Sequence, residues 1–248
     1  MSHNELHDFL RLLKASPSGA VFNPWWEVDA QNDFGPSAPA IRREQLRAYL
    51  RERLPKAKLA IVGEALGYRG GHFSGIAMTS ERILLGKKPE IVSALSEFRS
   101  RRDRANHRGQ RPALQILDGI QPRRTSKPSV YPDGFSEPTA TIVWGALLKI
   151  GLVPTEFVLW NAFPWQSFDP RRGLLSNRMP NKSERAAGLP VLEVFLELFP
   201  CEQIVALGKI AAVQLEQLGV TARCVRHPAS GGAKLFRAQI AQVLTRTN

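Results

Sequence analysis

Four short predicted strands, each followed at some distance by a segment with helical periodicity, constrain the fold of this chain more than any other feature. They occupy residues 58–62, 157–161, 203–207 and 222–226. Strands that alternate with helices along a chain pack as a mostly parallel sheet with helices on both faces. The order therefore predicts an α/β fold, a three-layer α/β/α sandwich around a four-stranded, mostly parallel central sheet.

The segments between these strands carry apolar residues at three- and four-residue spacing, which is typical of amphipathic helices. They span residues 4–16, 38–54, 78–98, 138–150, 184–198, 209–217 and 233–244. Gly86 and Pro89 interrupt the third of them. The chain has 248 residues and shows no internal repeat, so we predict one domain over residues 1–248.

A basic stretch at about residues 99–137 departs from this pattern. Nine Lys or Arg side chains lie between Arg99 and Lys127 against two acids, in a chain whose formal net charge is +12. A positive field of this kind attracts polyanions, and nucleic acid is the first candidate partner. The alternative is a solvated basic loop. We predict a long basic insertion in which a short helix lies near residues 113–117.

Cysteine content and hydropathy exclude several classes of protein. Cys201 and Cys224 are the only cysteines, too few for a disulfide framework and without the spacing of a zinc site. We expect a protein of the reducing cytoplasm. The N-terminal residues do not resemble a signal peptide, and no stretch approaches the roughly 20 apolar residues that a membrane span needs. We expect no metal and no membrane association.

Polar residues follow three of the four predicted strands. The strand exits read GEALG, NAFPWQ, GKIA and HPASGG, which place Glu64, Asn161 and His227 at the carboxyl edge of the sheet. Ligands of open α/β sheets bind beyond that edge, so these residues could share one pocket. An ordinary turn, a structural asparagine and a capping histidine are the alternatives. The GEALG segment has neither dinucleotide-binding nor phosphate-loop spacing.

Five segments in order resemble the motifs of the uracil-DNA glycosylase superfamily. They are GEALG with HFSG, then NAFPW, SNRMPNKSE, the LG-x-x-A pattern of LGKIA, and RHPAS. The likeness is strongest to the bacterial and archaeal iron–sulfur branch, and it runs from about residue 59 to residue 244. The first 50 residues and the basic stretch are not covered. The resemblance implies hydrolysis of the N-glycosidic bond of deoxyuridine, after the base has been flipped out of the DNA.

The resemblance also assigns roles to residues at matching positions. Phe73 would stack on uracil, Asn161 would bond its polar edge, and His227 would stabilise the departing uracil anion. Glu64 would position or activate water, or crowd out the methyl group of thymine. The remaining assignments are a pocket lining of Gly63, Ala65, Leu66, Gly67 and Ser74, and DNA contacts from Arg69, Arg178, Ser230, Gly231 and Lys234.

This chain also departs from the family pattern. It lacks the four cluster cysteines, so we predict no iron–sulfur cluster and no other cofactor. Leu66 replaces a proline of the first motif, and Ala65 stands where the best-known branch has its general base. The loop DPRRGLLSNRMP contains no His, so we expect no covalent trapping of the product.

The expected protein is a monomeric uracil-DNA glycosylase that releases free uracil and leaves an abasic site. The missing general base motivates an alternative, a protein that binds uracil-containing or abasic DNA without useful turnover. A third hypothesis, an unrelated nucleotide-binding α/β enzyme, lacks the glycine motifs that such enzymes carry.

Overall fold

The computed structural model describes residues 3–105, 116–117 and 120–245. Within these ranges the elements follow in the order α1 (His3–Leu12), β1 (Val21–Phe22), α2 (Ala38–Arg53), β2 (Leu59–Ala65), α3 (Gly71–Ser74), α4 (Glu81–Leu84), α5 (Pro89–Ala105), α6 (Pro138–Ile150), β3 (Phe157–Phe163), β4 (Gln166–Ser167), α7 (Lys182–Leu198), β5 (Gln203–Leu207), α8 (Lys209–Gln217), β6 (Arg223–Val225) and α9 (Ala233–Thr245). None of these described helices is both long enough and apolar enough to cross a membrane.

The central sheet has four strands in the order β3-β2-β5-β6, and every neighbouring pair is parallel. This confirms the predicted fold class. The middle of the core is filled by the buried parts of three strands, residues 60–62, 157–163 and 205–207, because both faces of the sheet are covered. All four strands point the same way, so their carboxyl ends meet along one edge.

The two faces of β3 contact different helices. Trp160 stacks on Phe195 of α7 at 5.0 Å between ring centroids and lies 5.3 Å from Phe9 of α1. Phe157 instead makes an edge contact at 4.9 Å with Trp144 of α6. Side chains alternate between the faces along a strand. Odd-numbered residues of β3 therefore face α6, and even-numbered residues face α1 and α7.

Several predicted boundaries were wrong in ways that matter for the site. The first strand does not stop at Gly63 but continues to Ala65, so Glu64 belongs to β2 rather than to the loop after it. The second strand likewise extends to Phe163. The helix predicted over residues 78–98 is two helices, because Gly86 adopts a positive φ of 67° and Pro89 begins α5. The strands β1 and β4 have two residues each and were too short to be predicted from a sequence pattern.

The predicted basic insertion is only partly an irregular segment. Helix α5 continues through its first part to Ala105, and residues 106–115, including most of the predicted short helix, lie outside the described residues. Glu81, which is fully buried, accepts hydrogen bonds from the backbone nitrogens of Thr125, Ser126 and Phe135 at 2.8, 3.0 and 3.2 Å. This carboxylate fixes the last part of the stretch to the body of the protein. A single domain with an insertion at 99–137 stays a prediction.

Candidate functional site

Gly63 and Asn161 form the centre of the candidate site. They are paired across β2 and β3 near the carboxyl edge of the sheet. A Cβ atom on Gly63 would stand 2.7 Å from the Asn161 Oδ1 atom, so glycine is the residue that leaves room for the amide. Asn161 is only 2% exposed, and its side chain has no hydrogen bond to any residue that the structure describes. Neither amide atom is fully buried, so the small exposed part of Asn161 includes its unpaired amide, which is available to a ligand.

Met78 completes this side of the site and was missed by the sequence analysis. Its Sδ and Cε atoms each lie 3.5 Å from the position of a Gly63 Cβ, and the side chain is 6% exposed. Met78 adopts a φ of 47°, a conformation that costs energy for a residue with a side chain. The Ser74 hydroxyl holds the turn around Met78, because it accepts from the Ile76 nitrogen at 3.0 Å and donates its proton to the Thr79 carbonyl. No local sequence signal marks this geometry.

Glu64 lies on the other face of the sheet. Alternation along β2 places its side chain opposite those of Gly63 and Ala65. Arg185, in the first turn of α7, is the charge that acts on it. Burial raises the pKa of Glu64, and the attraction of Arg185 opposes that rise. The predicted role of Glu64 in activating water stays a prediction, and it faces away from the Asn161 amide.

The turn after β2 is shaped by glycines packed against Glu137. Leu66 is buried over Gly71, where any Cβ would collide with the Leu66 side chain. A Cβ on Gly67 would stand 2.9 Å from the Glu137 Oε1 atom, and one on Gly70 would overlap Oε2. Burial raises the pKa of Glu137 to about 7. The sequence analysis did not assign Glu137 to the site.

Phe73 lies in an aromatic cluster rather than on an open wall. It is 0% exposed, and Phe135 stacks on it with ring centroids 4.1 Å apart and planes 16° from parallel. His72 packs against the same ring at 4.2 Å. Contact between Phe73 and a base would require Phe135 to move aside, so the predicted stack stays a prediction.

His227 stands just beyond β6, at the far edge of the sheet from Asn161. Its Nδ1 atom accepts a hydrogen bond of 3.1 Å from the Ala229 backbone nitrogen, which leaves the proton of the neutral ring on Nε2. Burial and, secondarily, Arg226 lower the pKa of His227, so the neutral donor form prevails at neutral pH. The His227 Cβ atom lies 3.5 Å from the position of a Cβ on Gly208, the residue directly after β5. His227 therefore stands over the exits of β5 and β6, whereas Asn161 lies on β3, at the other side of the sheet.

The predicted DNA-contacting residues fall into two groups. Arg69, Ser230, Gly231 and Lys234 are exposed around the carboxyl edge of the sheet, and Ser230 is the second non-glycine residue with a positive φ, 51°, in the described ranges. Arg178 is instead committed to the fold. Its guanidinium donates to both oxygens of Glu184, at 2.6 and 2.7 Å. All five stay predictions as DNA contacts.

The described cations of the basic stretch are also bound to the protein. Arg124 donates to the backbone carbonyls of Ser126, Lys127 and residues 131–132. Lys127 donates to the carbonyls of residues 30 and 31, and exposed Arg123 pairs with a glutamate of α2. Their charges contribute to the overall field, and each is held by at least one bond to the protein. The side chains of residue 99 and residues 101–115 lie outside the description.

A groove of about 930 Å³ opens at the opposite end of the sheet, between the beginnings of β5 and β6 and the last turns of α9. None of the predicted site residues lines it. Within the described ranges, no three His, Cys, Asp or Glu side chains are grouped as metal ligands. Burial raises the pKa of the Cys201 thiol to about 11, so this cysteine is a poor nucleophile and a poor ligand.

No known family model matches this chain, and no curated protein matches it in sequence. The structure is similar to the crystal structure of wild-type SMUG2 from Pedobacter heparinus. The TM-score is 0.57, the alignment covers 98% of each chain, and the sequence identity is 11%. A likeness at this identity establishes a shared fold over the whole chain.

Proposed function

We propose that this protein is a DNA glycosylase that excises uracil. The observation that carries the proposal is the Asn161 amide, buried beside Gly63 without a partner in the described chain, opposite a neutral His227. An amide offers both a donor and an acceptor, which is what the polar edge of uracil requires. The fold shared with SMUG2, a member of the uracil-DNA glycosylase superfamily, supports the same proposal.

In the proposed reaction the target nucleotide leaves the base stack and its base enters the space between β3 and β6. Asn161 reads the uracil edge, and the Nε2–H group of His227 donates to the uracil oxygen that gains negative charge. The bond between C1′ and N1 breaks, its electron pair leaves with the base, and the sugar carbon becomes cation-like. A donor fixed beside the developing anion lowers this barrier without reorganisation at the moment of reaction.

Binding of DNA rests on the charge of the chain and on the exposed residues around the site. The formal net charge of +12 favours a polyanion, and Arg69 and Lys234 are exposed near the strand exits. Affinity for DNA should therefore fall steeply as salt concentration rises. We further propose that the protein is a cytoplasmic monomer that needs no cofactor. Its similarity to the iron–sulfur branch of the superfamily stays a prediction.

The test is cleavage of a labelled oligonucleotide that contains one uracil, in the presence of EDTA, followed by alkali. We expect strand breaks at the uracil with the parent protein. Asn161→Ala and His227→Ala should each slow base release by at least 10-fold, whereas His7→Ala, an exposed histidine on α1, should not change it. Equal rates in all four proteins would contradict the assignment of the site.

One observation favours a second candidate function. Ala65, the last residue of β2 on the Asn161 face, offers only a methyl group, and Glu64 lies on the other face. A protein without a water-activating group would bind uracil-containing DNA and release no base. An oligonucleotide that stays intact after alkali but shifts in a native gel would establish this function instead.

A further inference from the structure

The strands and helices around the site place one carboxyl group on each face of the sheet. Phe157 and Asn161 are four residues apart on β3, so alternation puts them on the same face, and Phe157 contacts α6 through Trp144. Glu64 lies on the α7 face, where Arg185 acts on it. The Asn161 face is therefore covered by α6, the helix that Glu137 precedes.

Glu137 is brought to the carboxyl edge of the sheet by the direction of α6. It is the residue immediately before Pro138, the first residue of the helix, and its side chain does not cap the helix. Its carboxyl group packs against Gly67 and Gly70, in the turn that begins two residues after β2 ends. Glu137 thus stands beside the strand exit, on the face where Ala65 provides no polar group.

The carboxyl group of Glu137 packs into this turn but receives no hydrogen bond from it. Its Oε2 atom is buried and has no hydrogen-bond partner among the described residues. The two glycines leave room that any side chain would fill, yet no backbone N–H of the turn donates to the carboxyl. A buried acceptor left unpaired costs free energy, which marks this oxygen as a group available to a ligand or a substrate water.

The groups that face Glu137 do not neutralise it. Asn177 reaches the same turn, where its Oδ1 accepts from the Tyr68 nitrogen at 3.0 Å and its Nδ2 lies 3.6 Å from the position of a Gly67 Cβ. Tyr68 and Arg69 are the titratable and charged side chains of the turn, and the Arg69 Nε donates to the Tyr68 hydroxyl at 2.8 Å. Burial alone accounts for the shift in the pKa of Glu137.

We propose that Glu137 is the base that accepts a proton from the attacking water, an inference that rests on the proposed glycosylase function. The water oxygen forms a bond to C1′ as the bond between C1′ and N1 breaks, and the electron pair of that bond leaves with the uracil anion. The water proton goes to a Glu137 oxygen, and the products are an abasic sugar and the anion held by His227. A base whose pKa lies near the working pH is suited to this step.

The experiment compares Glu137→Gln with Glu64→Gln in single-turnover excision from DNA between about pH 5.5 and pH 8.5. The parent rate should rise with pH and level off above about pH 7, as Glu137 ionises. Glu137→Gln should lower the plateau about 10²- to 10⁴-fold and remove the rise. Glu64→Gln tests the role predicted for Glu64 from the sequence, and it should keep the rise with pH because the base is Glu137. Loss of the rise in Glu64→Gln would instead overturn the proposal.

A measurement of DNA affinity and a second variant of Glu137 distinguish a chemical role from a loss of binding or folding. Affinity for DNA with 2′-fluoro-deoxyuridine, which resists hydrolysis, should change less than about threefold in Glu137→Gln, because the step affected is chemical. If that variant does not fold, Glu137→Asp replaces it and should be slow but keep the rise with pH. A Glu137→Gln protein with the parent rate and profile would overturn the proposal. A parent that releases no uracil would instead overturn the proposed function itself.

Discussion

Replacing Gly63 with alanine should slow base excision much more than it weakens the fold. The new Cβ would stand 2.7 Å from the Asn161 Oδ1 atom, where ordinary contacts begin at 3.4 Å. The amide must therefore withdraw by at least the difference, 0.7 Å. Met78 lies 3.5 Å from the same Cβ position, so the substitution also tightens its contact with the thioether.

The size of the effect follows from this displacement. A misplacement of about 1 Å can cost roughly 10²-fold in rate, so we expect excision by Gly63→Ala to fall about 10- to 100-fold. Stability should change by less than about 1 kcal/mol, because alanine in a strand regains about 0.5–1 kcal/mol of backbone entropy that offsets the crowding. The rate of base excision should therefore fall while the free energy of unfolding stays close to that of the parent.

Single-turnover excision and thermal unfolding measure these two effects on the same protein. Gly145→Ala is the matched control, because a Cβ there lies 3.9 Å from its nearest neighbour, on Ile91, within α6. The control should keep the parent rate and gain about 0.5–1 kcal/mol of stability. A Gly63→Ala protein that excises uracil within twofold of the parent would refute the role given to the Asn161 amide.

Three further predictions concern stability. Burial raises the pKa of Glu137 from 4.5 to about 7, so the fold loses stability as pH rises through that interval. Glu137→Gln should therefore be more stable than the parent at about pH 8, by up to about 3 kcal/mol in urea unfolding. Arg42→Ala should cost about 3–5 kcal/mol, because it strands the buried Asp33 carboxylate that Arg42 binds at 2.7 Å, whereas exposed Arg123→Ala should cost under about 1 kcal/mol. Equal losses of stability in the two arginine variants would contradict this difference between a buried and an exposed ion pair. The pKa of His227 is lowered in the folded chain, so acidification below its ordinary value of 6.5 favours unfolding. As pH falls from about 7 to about 5, His227→Gln should consequently lose less stability than the parent. Parallel curves of unfolding free energy against pH would exclude His227 as the cause of the loss.

The sheet and its polar exits could be predicted because both are local properties of the sequence. Three of the four strands of the central sheet are marked by apolar runs of about five residues, and the residue that follows a strand must lie at the carboxyl edge of a parallel sheet. Asn161 and His227 were placed at that edge in this way. The strand ends were less predictable, because Glu64 and Ala65 continue β2 through contacts with β3 that lie almost 100 residues away.

Glu137 could not be assigned to the site from the sequence, because its contact with Gly67 depends on how α6 packs. One signal was present. A residue directly before the first turn of a helix is usually Ser, Thr, Asp or Asn, which can cap it, and glutamate is a poor substitute. Met78 carried no signal, since a positive φ at a methionine is imposed by its neighbours. The stacking of Phe135 on Phe73 could not be predicted either, because it joins a loop residue to helix α3, 62 residues away in the chain.

Direct detection of free uracil tests the central claim most plainly. The parent protein would be incubated in EDTA with an oligonucleotide containing one deoxyuridine, and with the same oligonucleotide containing thymidine, and the released base would be measured by mass spectrometry. The account predicts one uracil released per uracil-containing strand, no thymine, and a rate that collapses in Asn161→Ala. Absence of free uracil from the parent at saturating protein would contradict it.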